Sequence, residues 1–292
     1  MDFLKKTEDC RSVVEDELKK LFTADGLLTE EGIPGSLAEP LRYALLTGGK
    51  RLRPVLCLLA CRVVSGDFKK AIPASLAIEV LHTYTLVHDD LPCMDDDLLR
   101  RGKPTVHAKY GYAEAVLVGD ALHAAAFALA LKTQCDAEAL QKIVDELARA
   151  AGPAGVVGGQ WVDVCSKPPH NLATVNYVHE HKTSDLVQCA LLMGAIAARA
   201  TEAQEKIFRK FGKNLGMAFQ IIDDLLDGDD PAKTEEMSVL LVMDREEALH
   251  LAEKHTANAL NCLEELEGMG RIDLEAVQIL KELAQAQISR KM

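Results

Sequence analysis

Apolar residues recur every three to four positions along most of the chain, the spacing of amphipathic helices. The pattern predicts helices over 36–47, 53–65, 73–91, 112–132, 136–151, 171–200, 202–227, 244–267 and 272–290. The first twenty residues are charged and also helical in pattern. Pro54 and Pro73 fall in first turns, where a missing N–H costs no helical bond. Between 153 and 166 the chain is Gly-rich and then apolar, PAGVVGGQWVDVCS. Period-2 alternation between turn residues is missing, so strands are not expected. Gly and Pro sit in short groups between helices, with no linker and no repeat. The reading is an all-α protein, one large helical bundle in a single domain over 1–292. Its expected central helix is 112–132, nearly all apolar or small.

Composition narrows this picture. Apolar residues make up 48% and aromatics only 4%, a mix that favours helices over sheets. Asp and Glu number 45 against 33 Lys and Arg, a net charge of -12. With no long basic stripe, nucleic acid is not an expected partner. The N-terminus lacks the apolar run of a signal peptide. No apolar stretch reads as long and clean enough to span a bilayer. The cysteines (10, 57, 61, 93, 135, 165, 189 and 262) are scattered without CxxC. That suggests reduced thiols in a cytoplasmic protein.

Against this background two acidic clusters stand out. In HTYTLVHDDLPCMDDDLLRRGKPT, residues 82–105, five carboxylates fall between Asp89 and Asp97. Asp89 and Asp90 end an apolar helix, and Asp95 follows after LPCM, where Pro92 loosens the last turn. The second cluster, FQIIDDLLDGDD, holds Asp223, Asp224 and Asp227 at i, i+1 and i+4. Positions i and i+4 share a helix face, where like charges repel. Flanked by Phe219, Ile221, Ile222, Leu225 and Leu226, these carboxylates sit near a core and are costly without a positive partner. A hard divalent ion, Mg²⁺ or Mn²⁺, is the simplest one. Mg²⁺ completes its shell with water and phosphate, so two facing clusters suit a polyphosphate. An isolated DDxxD is common and most are solvated helix ends; two on apolar helices far apart in sequence are not. Neither stretch has the EF-hand layout.

Basic residues answer the acidic ones. TGGKRLRP, residues 47–54, sets Lys50, Arg51 and Arg53 after a glycine pair. Alone it reads as a surface turn; beside a polyphosphate site it reads as a second anion pocket. Arg100 and Arg101 follow the first acidic cluster, and arginine forks suit phosphate oxygens. His82 precedes Asp89 by about two helical turns and shares its face.

Together these motifs resemble the short-chain trans-isoprenyl diphosphate synthases, the farnesyl and geranylgeranyl type. GGKRLRP, HDDLPCMDDDLLRRGKPT, the Gly119–Asp120 pair, GGQWVD, HKTSDL and FQIIDDLLD occur in the family's order, over about 40–230. The resemblance implies an all-α bundle of the isoprenoid synthase type around a central active-site cavity, as a homodimer. It implies that Asp89, Asp90, Asp95, Asp223, Asp224 and Asp227 hold Mg²⁺. Arg100, Lys182 and Gln220 would contact the allylic diphosphate, and Thr183 would lie near the developing cation. Lysine 182, Thr183 and Gln220 are thus the catalytic candidates. Lys50, Arg53, His82 and Arg101 would bind isopentenyl diphosphate.

The implied reaction is head-to-tail condensation of isopentenyl diphosphate with dimethylallyl or geranyl diphosphate. Tyr84 lies five residues before Asp89 and Thr85 four. By resemblance, an aromatic at Tyr84 with four residues between Asp90 and Asp95 implies a farnesyl, fifteen-carbon stop. The alternatives are a geranylgeranyl diphosphate synthase or a catalytically weak regulatory subunit. A terpene cyclase would not need the GGKRLR pocket. An acidic metal-binding scaffold would leave the basic residues unexplained. One stretch departs from the family: the loop after Asp227, GDDPAKTEEMSV, is short and carries Lys233 as its only lysine, where the family has two.

Overall fold

The computed structural model of the chain describes residues 6–29, 32–165, 171–228 and 237–288. Helices dominate it, as expected. α1 (Glu8–Lys20) carries acids in its first turn and lysines in its last, complementing the helix dipole. α2 (Gly35–Leu46), α3 (Leu52–Ser65) and α4 (Ile72–Asp89) follow. A two-stranded antiparallel ribbon comes next, β1 (Leu99–Arg100) with β2 (Lys103–Pro104). Strands of two residues carry no period, so no alternation marks them in the sequence.

α5 (Val106–Tyr110), α6 (Tyr112–Ala130) and α7 (Ala137–Ala151) lead to the Gly-rich stretch. That stretch forms α8 (Val156–Gln160) and a wider π-helical turn, Trp161–Cys165. The expected helix over 171–200 is divided. α9 (Leu172–Val178) passes through a second π segment, His179–Ser184, into α10 (Asp185–Ala197). α11 (Glu202–Asp227) and α12 (Arg245–Glu267) both open with capping boxes, Thr201 with Gln204 and Asp244 with Glu247, as such sequences do. α13 (Leu274–Ile288) ends the described chain.

The central helix is not the one expected. Every residue of α10 is buried, and it packs against α3, α4, α7 and α11. At about 1.5–3 kcal/mol for each large apolar side chain, Leu186, Leu191, Leu192, Met193 and Ile196 make it the main anchor of the bundle. α6 instead packs along α4 with one side and turns Tyr112, Leu117, Asp120 and Ala124 outward. The expectation about membrane spans also changes. By length and composition alone α6 could cross a membrane, with less than half of it buried.

Candidate active site

Two helices end in carboxylates, which is the wrong sign for a helix C-terminus. Asp89 closes α4 and Asp227 closes α11. Between them lies a cavity of about 260 Å³, lined by Asp89, Asp95, Asp223, Asp224 and Asp227 together with Arg100, Lys182, Thr183 and Gln220. The turn after α4 brings Asp95 back, its N–H donating to the Asp89 carbonyl at 2.9 Å. Burial raises the Asp89 carboxyl to about 7; Asp95 and Asp90 add to the shift, and Lys182 and Arg100 oppose it. Asp95 is raised too, again mainly by burial.

The two π segments present the cationic and polar groups. Such segments are rare and concentrate at functional sites. Gly159 packs against the backbone nitrogen of Lys182 so closely that a Cβ would clash. This contact locks α8 against the second π segment. Lys182 Nζ then donates to Asp163 Oδ2 at 2.6 Å. A hydrogen-bond chain crosses to α11: Thr183 Oγ1 donates to Gln220 Oε1 (2.7 Å), and Gln220 Nε2 to Asp224 Oδ1 (3.0 Å). Asp224 Oδ2 accepts the Val239 N–H at 2.7 Å. Buried His179 Nε2 lies 3.2 Å from the same oxygen but makes no hydrogen bond with it.

The six aspartates read from the motifs therefore differ in position. Asp90 faces away from the cavity: its Oδ1 takes the Arg100 Nε–H, and it lines a small slit beside Tyr43 and Thr83. Asp224 lines the cavity with both oxygens engaged by protein donors. Asp89, Asp95, Asp223 and Asp227 also line the cavity. Such a set suits a hard cation. Among the described residues no three acidic, His or Cys groups form a ready metal cage.

A second cavity, of about 380 Å³, has the opposite character. Lys50, Arg53, His82 and Arg101 line it, with Gly49 and Phe219. All four residues expected at the second anion pocket are thus brought together. Gly48 and Gly49 adopt φ of 95° and 149°, conformations open to glycine, and Arg101 Nη1 donates to the Gly48 carbonyl. Arg53 Nη1 lies 3.1 Å from His82 Nε2. Burial lowers Arg53 to about 10. Burial, and then Arg53, push His82 well down, so its ring is neutral at neutral pH and can accept from Arg53. Arg53 Nε and His82 Nδ1 are buried without a partner. Arg51 is no pocket ligand: it is buried, bound to Glu79 (2.6 Å), Glu15 (2.8 Å) and the Leu45 carbonyl (2.7 Å).

A third cavity, of about 160 Å³, meets the acidic one at Asp89. Tyr84, Thr85, His88, Val157, Gln160 and Trp161 are among its walls. Tyr84 packs edge-on against His88 and His123, with centroids 5.1 and 4.9 Å apart, and His123 against Phe127. At Gly119 a Cβ would overlap the His88 ring, which gives the Gly119–Asp120 motif a packing role. Asp163 and His179 were missed as site residues. Asp163 had a sequence signal in GGQWVD; His179 had none. Lys233 lies outside the described residues.

A family model for polyprenyl synthetase matches residues 34–239. Among curated proteins, a geranylgeranyl diphosphate synthase of Cyanophora paradoxa is 42% identical over 221 residues, 74% of this chain and 71% of that protein. A chloroplastic geranylgeranyl pyrophosphate synthase of Catharanthus roseus is 45% identical over 207 residues, 70% of this chain and 57% of that protein. Among solved structures, an apo FPP/GFPP synthase from Zymomonas mobilis superposes with a TM-score of 0.84 at 32% identity, over 98% of this chain and 99% of that one. A Helicobacter pylori geranyltransferase complexed with magnesium and isoprenyl diphosphate gives 0.81 at 29% identity, over 99% of this chain and 97% of that one. The chain belongs to the polyprenyl synthetase family, among the short-chain trans-isoprenyl diphosphate synthases, and is a trans-prenyltransferase.

Proposed function

We propose that this prenyltransferase condenses isopentenyl diphosphate with an allylic diphosphate, with Mg²⁺ (or Mn²⁺ in its place) held by Asp89, Asp95, Asp223 and Asp227. The observation that carries this reading is the pairing of cavities. An acidic cavity with Lys182 and Arg100 lies on one side of Phe219–Gln220, a basic cavity on the other, and an apolar tunnel opens at Asp89. When bound, the divalent ions would neutralise charge building on the leaving diphosphate. Lys182 and Arg100 point charge at the same oxygens. Asp90 positions Arg100, and Asp224 positions Gln220 and through it Thr183. Lys50, Arg53, His82 and Arg101 hold the second diphosphate. Val156, Val157 and Val164 give the third cavity apolar walls beside Asp89.

Two product lengths have support. The curated relatives named above are geranylgeranyl synthases, which favours twenty carbons as the main reading over the farnesyl product expected from the motif. The Tyr84–His123–Phe127 stack beside the tunnel favours fifteen as the second. A homodimer through α6 is supported by its outward Tyr112 and Leu117 and by Leu131 just past its end, the last two 59% and 57% exposed. Free cysteines support a reducing, cytoplasmic setting.

The test is a product assay with Mg²⁺, isopentenyl diphosphate and, separately, dimethylallyl, geranyl and farnesyl diphosphate. A twenty-carbon prenol supports the main reading and a fifteen-carbon one the Tyr84 stop. Absence of product from folded, metal-binding protein overturns both in favour of the regulatory-subunit reading.

A further inference from the structure

The second π segment carries an ion cluster that the substrate reading leaves without a task. Asp185 opens α10, where a negative charge suits the helix N-terminus, and its side chain is buried. His181 Nδ1 lies 2.9 Å from Asp185 Oδ2; a carboxylate oxygen accepts, so the ring nitrogen donates. Asp185 Oδ1 accepts from Gln188 Nε2 at 3.2 Å, and Arg149 Nη1 of α7 lies 3.5 Å from the same oxygen. Glu146 links Arg149 onward to Arg209 of α11. The His181 ring also stacks on Tyr177 of α9, with centroids 4.3 Å apart. None of these residues lines the three cavities.

What the cluster holds is the backbone that carries Lys182. That residue is adjacent to His181, its Nζ is bound to Asp163, and it lines the acidic cavity. Its segment is walled on two further sides. A Cβ on Gly159 of α8 would come within 2.5 Å of the Lys182 nitrogen, and one on Gly216 of α11 within 2.6 Å of the Ser184 Cα. The His181–Asp185 bond closes a third side, and it spans the point where π geometry returns to α geometry. A π turn holds one residue more than an α turn. A slip of one residue at this junction would swing Lys182 by about 100° around the axis, away from the cavity.

We propose that His181 and Asp185 are positioning residues: their hydrogen bond fixes the register of the π segment and so aims Lys182 at the diphosphate in the acidic cavity. The proposal rests on the diphosphate reading given above. Neither residue touches substrate; both act through Lys182. A positive group helps most where it meets charge building on the leaving oxygens, and a misplacement of about 1 Å can cost about 10²-fold in rate. The effect is confined to one substrate. Lys50, Arg53, His82 and Arg101 stand on other elements and keep their places.

His181→Phe tests this, because phenylalanine keeps a ring against Tyr177 and removes the N–H. Single-turnover condensation is expected to fall roughly 100-fold, with KM for isopentenyl diphosphate within about threefold of wild type. His181→Asn, whose amide nitrogen can take the place of Nδ1, is expected to restore the rate to within about threefold. In a Lys182→Met background the His181→Phe change is expected to cost less than about threefold, because the residue it aims is gone. A rate for His181→Phe within about threefold of wild type overturns the proposal. So does an Asn variant that restores nothing, or a loss that persists at full size without Lys182. His181→Leu is made in parallel, and if the Phe variant fails to fold the same comparisons are read from it. A second readout needs no prenyl group. Inorganic pyrophosphate with Mg²⁺, titrated calorimetrically, should bind about 10-fold more weakly to His181→Phe than to wild type, and equally to Lys182→Met with and without that change. Equal binding to wild type and His181→Phe overturns the proposal. If wild type binds pyrophosphate but forms no product, the substrate reading fails while this titration still decides whether the bond aims Lys182; if it does neither, both fail.

Discussion

The acidic and basic cavities are both suited to diphosphates, yet they differ in how their own charges are balanced. The basic cavity carries internal counter-ions. Glu79 and Arg51 line it themselves, Arg51 bound to Glu79 and Glu15, and Glu79 also favours the charged form of Arg53 and Arg101. The acidic cavity has fewer answering charges: Lys182 is already bound to Asp163 and Arg100 to Asp90 and Asp97. The remaining carboxylates crowd at two helix C-termini. One site carries its own counter-ions; the other, in the proposed reading, is completed by the ions that bind it.

That contrast can be broken at either site. The largest effect is expected for Asp89→Asn. Single-turnover condensation should fall on the order of 10³–10⁴-fold, about 4–5.5 kcal/mol, while the metal-free protein melts no lower than wild type. A clear drop in melting temperature would mean that Asp89 is a structural residue. Next comes Glu79→Gln, which leaves Arg51 without its buried partner and should cost about 3–5 kcal/mol of stability in a denaturant titration. Equal losses from Asp89→Asn and Glu79→Gln would erase the distinction between the sites. Arg53→Ala should raise KM for isopentenyl diphosphate roughly 100-fold, about 2.7 kcal/mol, and leave KM for the allylic substrate within about threefold.

The smallest effect concerns pH. Burial raises Asp89 to about 7 and Asp90 to about 6, against an ordinary 3.8. Across that interval the folded protein binds more protons than the unfolded chain, so these groups make metal-free stability fall as pH rises. Melts in chelator should drop by roughly 2–4 °C between about pH 5.5 and 7.5. Mg²⁺ should shrink the drop, and Asp89→Asn should flatten it. A slope unchanged in that variant would place the proton uptake elsewhere.

Much of this was legible in the sequence, and the exceptions have physical causes. The 3.6-residue period located the helices because each buries a stripe. It could not tell α6 from α10: an apolar face packed inside one chain and an apolar face turned outward give the same pattern. The aspartate motifs announced the cavity, but spacing does not say which carboxylates line it or which donors they meet, so Asp90, which lines a separate slit with Arg100 on its Oδ1, reads like Asp89. Lys182 and Thr183 were legible only through family resemblance, because a π segment breaks the periodicity that locates side chains. Asp163, His179 and Asp185 matter through contacts made across the fold, which no local pattern records.

The ribbon joins the two sites more directly than any helix. Arg100 and Arg101 are adjacent, and the first lines the acidic cavity while the second lines the basic one. Tyr43 holds the ribbon's far strand by donating to the Pro104 carbonyl at 2.7 Å. A diphosphate that immobilises one arginine therefore stiffens the peptide unit that carries the other. The second ligand then loses less conformational freedom on arrival. Under the proposed reading of two diphosphates, each ligand would tighten the other by the same factor, through a hairpin of six residues from Leu99 to Pro104.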